Sequence, residues 1–319
     1  MKKAIKLRTI FMGTPLFAKE ILESLVKNGY NIVAVFTRPD APKGRKQELA
    51  RSPVKELAEA NKIPVYQPQT LDEKTVKGIE ELKPDIIVAA AYGKILPRKI
   101  LNIPGFGCLN IHTSLLPKFR GPSPIQNALL AGEKETGATI FLMNEGIDTG
   151  DILSREIIKI IPDDTAESLS QKLNHLGAEL LLKTLPLWVE RKINPQKQDD
   201  SRTSLCQLIE REDGHIIWED EAKNIYNKFR AFYPWPGIFG FWENNGALER
   251  IKFIKISRQE EDSPTARRAG EIFQAGDKIA VQTLKGILII EEIQPEGKKP
   301  MAVKDFIIGH PNFIGNVLK

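Results

Sequence analysis

Cysteine is nearly absent from this chain: Cys108 and Cys206 are the two among 319 residues. Two thiols exclude a disulfide framework and fit a reducing compartment. Histidine is almost as sparse, with four residues so scattered that no zinc spacing arises, and no metal is expected. No apolar run approaches the roughly 20 residues that cross a bilayer. The opening MKKAIKLRTIFMG sets basic residues before apolar ones, as a secretory signal does, but the run breaks at Gly13 and Pro15. It reads as a first β-strand, and the chain is expected in the cytoplasm, away from membranes. An excess of one charge is missing too. With 46 basic and 41 acidic side chains the formal charge is +5, so composition does not by itself announce a nucleic-acid binder.

What is present is ordinary globular material, 41% hydrophobic and 27% charged, in a length that favours two domains. The first half alternates strand-like and helix-like segments, which predicts an α/β domain on a mainly parallel, Rossmann-like sheet. Strands are expected at Leu7 to Met12, Asn31 to Thr37, Ile86 to Ala90, Gly107 to His112, Thr139 to Met143 and Asp151 to Ile160. Helical spacing runs over Phe17 to Lys27 and Val54 to Asn61, and a long helix capped by Asp164 or Thr165 runs to Val189. From about 191 to 206 the chain turns polar and aperiodic, which suggests a linker or crossover. A helix near Glu221 to Ala231 precedes short strands with glycine turns, as in an oligonucleotide-binding (OB-like) β-barrel. The expected division is therefore 1–190, a linker at 191–206, and 207–319.

The turn Gly13-Thr14-Pro15-Leu16-Phe17-Ala18 invites a dinucleotide-binding reading. Pro15 argues against it, because it fills the slot where backbone must approach a pyrophosphate and it lacks an N–H. A tight strand-to-helix turn explains the same residues.

Chemistry concentrates in Cys108-Leu109-Asn110-Ile111-His112. Residues two apart on a strand share a face, so Asn110 and His112 project together, with Cys108 on their side and Leu109 and Ile111 opposite. An amide donor beside an imidazole at a strand's carboxyl end can polarise a carbonyl. After the next strand, Asp148 stands in a loop between Gly146 and Gly150, where a carboxylate could orient His112. The bland readings remain open at this point: such Asn and His residues often satisfy backbone groups, and an Asp between glycines is often a turn residue.

Longer segments carry a resemblance. FMGTPLFA, VFTRPDAPKGR, AAAYGKILP, GCLNIHTSLLPKFRGPSPIQNALLAGEKETGATI, MNEGIDTGDIL, FRAFYPWPG and PEGKKPM together resemble the methionyl-tRNA formyltransferase family over essentially the whole chain. The resemblance implies an enzyme that moves the formyl group of 10-formyltetrahydrofolate to the amino group of methionyl initiator tRNA. It implies Asn110, His112 and Asp148 as the catalytic trio, and Ser114, Leu115, Leu116 and Pro117 as the folate-binding segment. Thr113 stands where many relatives are expected to have glycine. The stretch from Arg38 to Arg51 holds five basic residues against two acidic ones, with two prolines and a glycine, and reads as an exposed loop. By resemblance its Lys43, Arg45 and Lys46 would contact the acceptor stem, and the second domain would bind tRNA. A monomer is expected.

Phe232 to Gly237 reads as an aromatic platform for bases or as a hydrophobic join between domains. A superfamily member acting on a small amine would keep the trio but lack the 38–51 loop. A non-catalytic RNA binder would not need the trio, and a nicotinamide dehydrogenase is opposed by Pro15.

Overall fold

The apolar run in the opening segment becomes β1 (Thr9–Gly13), every residue of which is buried. A computed structural model describes residues 7–43, 48–259 and 267–319. The chain leaves β1 through Gly13, where an added Cβ would lie 2.6 Å from the Ala18 Cβ and 2.8 Å from the Ala90 carbonyl oxygen. Glycine is there for close packing. Pro15 then caps α1 (Leu16–Lys27) from just outside the helix. Ala18, Ile21, Leu22 and Leu25, spaced for one helical face, are fully buried.

Next come β2 (Ile32–Phe36) and a short antiparallel hairpin of β3 (Ala41–Lys43) and β4 (Glu48–Ala50). That hairpin lies within the stretch read as a loop; strands of three residues are too short to leave a periodic signal. Then follow α2 (Pro53–Ala60), β5 (Val65–Tyr66), α3 (Glu73–Glu81), β6 (Ile86–Ala90), α4 (Arg98–Leu101) and β7 (Cys108–His112). After α5 (Pro124–Leu130), β8 (Glu135–Leu142) and β9 (Ile152–Lys159) complete the sheet, and α6 (Ala166–Val189) follows. Thr165 caps α6 as expected: its Oγ1 accepts from Ser168 N–H at 3.2 Å while Ser168 Oγ accepts from Thr165 N–H at 3.0 Å.

The strand order is β5-β2-β1-β6-β7-β8-β9. Strands β5 to β7 in that order run parallel, whereas β8 and β9 pair antiparallel. Alternation along each strand sorts the core into two layers. Phe11, Val88, Leu109 and Ile111 join α1, α2 and α6 on one face; Ile10, Met12, Ile87 and Cys108 join α3 and α4 on the other. The sheet grows outward from β1 in both directions, an order in which ligand crevices form outside the carboxyl ends of the strands.

The chain folds into two compact units. Residues 1–124, 135–160 and 170–207 form one; 125–134, 161–169 and 208–319 form the other. The second contains α7 (Ala222–Phe232) and an antiparallel sheet of β10 (Ile238–Asn244), β11 (Ala247–Gln259), β12 (Ile272–Ala275), β13 (Lys278–Gln282), β14 (Ile287–Pro295) and β15 (Met301–Ala302). Its order is β10-β11-β14-β13-β12, with β15 on β14. Register shifts in β11 around Lys255 curl this sheet into an OB-like half-barrel. Helix α8 (Val303–Gly309) follows, and Trp242 is fully buried among the rings of Phe306 and Phe313. Phe232 is buried, whereas Tyr233 and Trp235 are exposed. The histidines outside β7 find ordinary partners: His215 packs against Phe239 and Phe241, and His310 stacks on Phe306. His175 is an exposed helix residue paired with Glu179 at 3.2 Å.

Candidate active site

Three strand ends and two loops surround a cavity of about 390 Å³ in the first unit. Phe17 of α1, Ala89 of β6, Tyr92 and Leu96 beyond it, and Phe141 of β8 supply apolar wall. Asn110 and His112 line it from β7 and Asp148 from the β8–β9 loop. The alternation on β7 is the expected one: Leu109 and Ile111 go to the opposite core, and Cys108 is buried behind the site. Burial pushes the Cys108 thiol up to about 12, so it is held as an inert apolar group.

His112 is 6% exposed, and its Nε2 lies 2.8 Å from the carbonyl oxygen of Phe119. A carbonyl only accepts, so Nε2 carries a proton and donates it there. Nδ1 is left on the other side of the ring, 3.6 Å from Asp148 Oδ2. That oxygen also accepts from the backbone N–H of Gly121 at 2.8 Å. Asp148 has φ 52°, a left-handed conformation that Asp tolerates better than most side chains. It is therefore both the turn residue of the bland reading and the carboxylate facing the imidazole. Asn144 stiffens the same loop, its Oδ1 accepting from Gly146 N–H at 3.1 Å and Thr149 Oγ1 at 2.7 Å.

Thr113 also lines the cavity, and its backbone is not among those with positive φ, so glycine is not needed for the turn. The four residues after it do not line this cavity. Ser114 and Leu116 are fully buried. Ser114 Oγ donates to the Lys118 carbonyl at 2.6 Å, and Thr139 Oγ1 donates to the Ser114 carbonyl at 2.6 Å. The Leu116–Pro117 peptide is cis, and Arg155 Nη1 donates to the Leu116 carbonyl at 2.9 Å. Ser114 to Pro117 thus form a braced turn directly behind Thr113. Of the basic residues read as tRNA contacts, Lys43 ends β3, and Arg45 and Lys46 lie outside the described residues.

Several site residues escaped the sequence reading. Tyr92 lines the cavity with a buried hydroxyl that has no hydrogen-bond partner among the described residues, and burial raises its phenol to about 12. A neutral donor is thereby kept available to a bound molecule. Arg38 reaches across to the Gly93 carbonyl at 2.6 Å, close to Tyr92 in the chain. Burial, then the charge of Arg38, lowers the pKa of Lys94, whose ammonium donates to the Gln69 carbonyl at 2.8 Å. The segment AAAYGKILP carries part of the resemblance, but no role was assigned to its residues. Among the described residues there is no cluster of metal-ligating side chains, and no helix is long and apolar enough to cross a membrane.

Comparison with known proteins follows the same lines. The formyl transferase family model matches residues 6–185, and the formyl transferase C-terminal domain model matches 208–311. A methionyl-tRNA formyltransferase of Caldanaerobacter subterraneus subsp. tengcongensis is 41% identical over 315 residues, spanning 98% of this chain and all of the relative. The chain belongs to the methionyl-tRNA formyltransferase family. It is a one-carbon group transferase. A second member, from Alkaliphilus oremlandii, is 43% identical over 98% of this chain and 99% of its own length. An N-formyltransferase from Helicobacter canadensis, solved in complex with folinic acid and dTDP-3-aminofucose, superposes with a TM-score of 0.67 over 89% of this chain and 98% of its own. At 22% identity that likeness concerns the fold.

Proposed function

We propose that this formyltransferase moves the formyl group of 10-formyltetrahydrofolate to the α-amino group of methionyl initiator tRNA in the cytoplasm. The observation that carries the reading is the meeting of Asn110, His112 and Asp148 in one cavity, with His112 Nδ1 3.6 Å from the Asp148 carboxylate. Such a cavity suits a ring-bearing co-substrate: apolar walls, and a buried Tyr92 hydroxyl without a partner among the described residues. Ser114 to Pro117 serve the folate side by bracing the turn behind Thr113. Lys43, Arg45 and Lys46 serve the tRNA side as phosphate contacts, as does the OB-like unit.

The acceptor needs little activation. An α-amino group has a pKa near 8, so a useful fraction is neutral at pH 7. Its lone pair attacks the formyl carbon, a C–N bond forms, and the carbonyl π pair moves onto oxygen. Asn110 donates to that oxyanion, and so does His112 when protonated at Nδ1, its Nε2 proton being held by the Phe119 carbonyl; in an apolar cavity each donor counts for more than in water. The oxyanion pair then re-forms the carbonyl while the bond to the folate nitrogen breaks, its pair leaving on that nitrogen. One proton leaves the amine and one reaches the leaving nitrogen. Asp148 stabilises the charge His112 takes up in this exchange and receives or relays the proton, directly or through water.

The decisive experiment measures transfer of labelled formyl from 10-formyltetrahydrofolate to charged initiator tRNA, beside charged elongator methionine tRNA. Labelling of the initiator alone supports the proposal. Equal labelling of both removes the initiator specificity, and labelling of neither, with a small amine accepting the group instead, favours the small-molecule branch of the superfamily.

A further inference from the structure

Gln198 lies in the polar stretch read as a linker, yet it is 6% exposed. Its amide nitrogen donates to the carbonyl of Asp148 at 2.8 Å and to that of Gly150 at 2.7 Å. Its amide oxygen accepts from both Arg120 Nε at 3.0 Å and Arg120 Nη2 at 2.8 Å. Arg120 is 5% exposed, and its Nη2 also reaches the Asp200 carboxylate at 2.9 Å. Around Arg120 stand Phe119, whose carbonyl takes the His112 proton, and Gly121, whose N–H holds the Asp148 carboxylate. One buried pair of side chains thus ties together the two segments that set the distance between imidazole and carboxylate.

We propose that Gln198, held by Arg120, is a positioning residue for the reaction: it clamps the Asp148 loop at its backbone and so sets the approach of Asp148 to His112. The inference deepens the proposed function and rests on it. An amide suits the role because it alone offers two donors to the loop carbonyls and an acceptor to the guanidinium. A carboxylate at 198 would keep the bond to Arg120 but face the carbonyls of Asp148 and Gly150 with lone pairs, pushing the loop away.

The test is Gln198→Glu in the full-length protein, with Gln198→Met as an uncharged second variant. Turnover should fall on the order of 10- to 100-fold, as small misplacements of reacting groups do, while KM for folate and for charged tRNA stays within about 3-fold. The ring ¹⁵N signals of His112, assigned with His112→Asn, should move in both variants, which a purely structural role would not cause. Turnover within about 2-fold of the parent in both variants overturns the inference, as does a loss with unmoved His112 signals. Asp148→Asn in the same assay separates the two claims. If it is impaired while Gln198→Glu is normal, only the clamp falls; if it turns over normally, the catalytic reading of Asp148 falls and takes the clamp with it.

Discussion

Asn110 and His112 owe their common direction to the pleat of β7, and their chemistry to what lies around them. An oxyanion donor acts only in the transition state, so truncating it should lower kcat rather than weaken binding. Asn110→Ala is expected to reduce turnover about a hundred- to thousand-fold, roughly 3–4 kcal/mol, with KM for tRNA little changed; steady-state kinetics with near-normal kcat would remove Asn110 from the mechanism. Cys108 is the opposite case, a nucleophile by type that burial has silenced. Burial raises Cys206 as well. In the folded protein at pH 8 both thiols should resist iodoacetamide, becoming alkylated only after denaturation; mass spectrometry showing rapid native labelling of Cys108 would contradict its placement. The raised Tyr92 phenol gives a pH signature of its own. Folded, it holds its proton more tightly than when unfolded, so this contribution to stability is intact below about pH 10 and is lost as pH rises through about 12. Tyr92→Phe should flatten that alkaline decline in a thermal-melting series.

Secondary-structure units were legible where apolar residues repeat at a clean period. Helix α1 and strand β6 fall within a residue of the spacing that predicts them, because both bury long stretches against a core. Helix α4, the hairpin of β3 and β4, and strand β12 have four residues or fewer apiece, too few for any period to stand out. Caps are the testable joints. The Ser52 hydroxyl accepts from Lys55 N–H at the start of α2 and shares a 2.8 Å bond with the buried Thr37 hydroxyl. Ser52→Ala should cost about 1 kcal/mol for the cap and more for stranding Thr37, read as a lowered denaturation midpoint; Ser52→Asp, which keeps a capping oxygen, should restore part of it. Gly137 gives a harsher prediction. A Cβ there would sit 2.1 Å from the Glu156 carbonyl oxygen across the β8–β9 pair. Gly137→Ala should therefore destabilise the protein by about 1–3 kcal/mol, as overpacking does. An unchanged midpoint would mean that the two strands have room to part at no cost.

At the level of the complete chain, charge matters through where it is displayed. A net +5 spread over 319 residues gives no basic domain, so the proposed tRNA contacts rest on local clusters such as Lys43, Arg45 and Lys46. Replacing all three with Ala should raise KM for charged tRNA while leaving KM for folate unchanged, and should flatten the dependence of tRNA binding on salt by up to about three phosphate contacts. A triple variant with the parental salt slope would place the contacts elsewhere. The segment from 191 to 206 shows why composition misleads over such distances. Its polar, aperiodic residues read as a connection, yet Gln196 pairs with Ile152, Leu205 bridges Arg120, and Gln198 is buried beside the site.

Local pattern was enough for the alternation of strands and helices, the shared face of Asn110 and His112, the tight strand-to-helix turn at Pro15, and the second unit's run of short strands. These follow from periods of 2 and 3.6 residues and from the stereochemistry of single residues, which act over a few positions. Folding in three dimensions alone could choose the strand order, turn β8 and β9 antiparallel, and carry Asp148 to His112 and Gln198 to Asp148. Those contacts join residues 36 and 50 positions apart, and a buried polar side chain takes its partners from whatever the packed chain brings within about 3 Å.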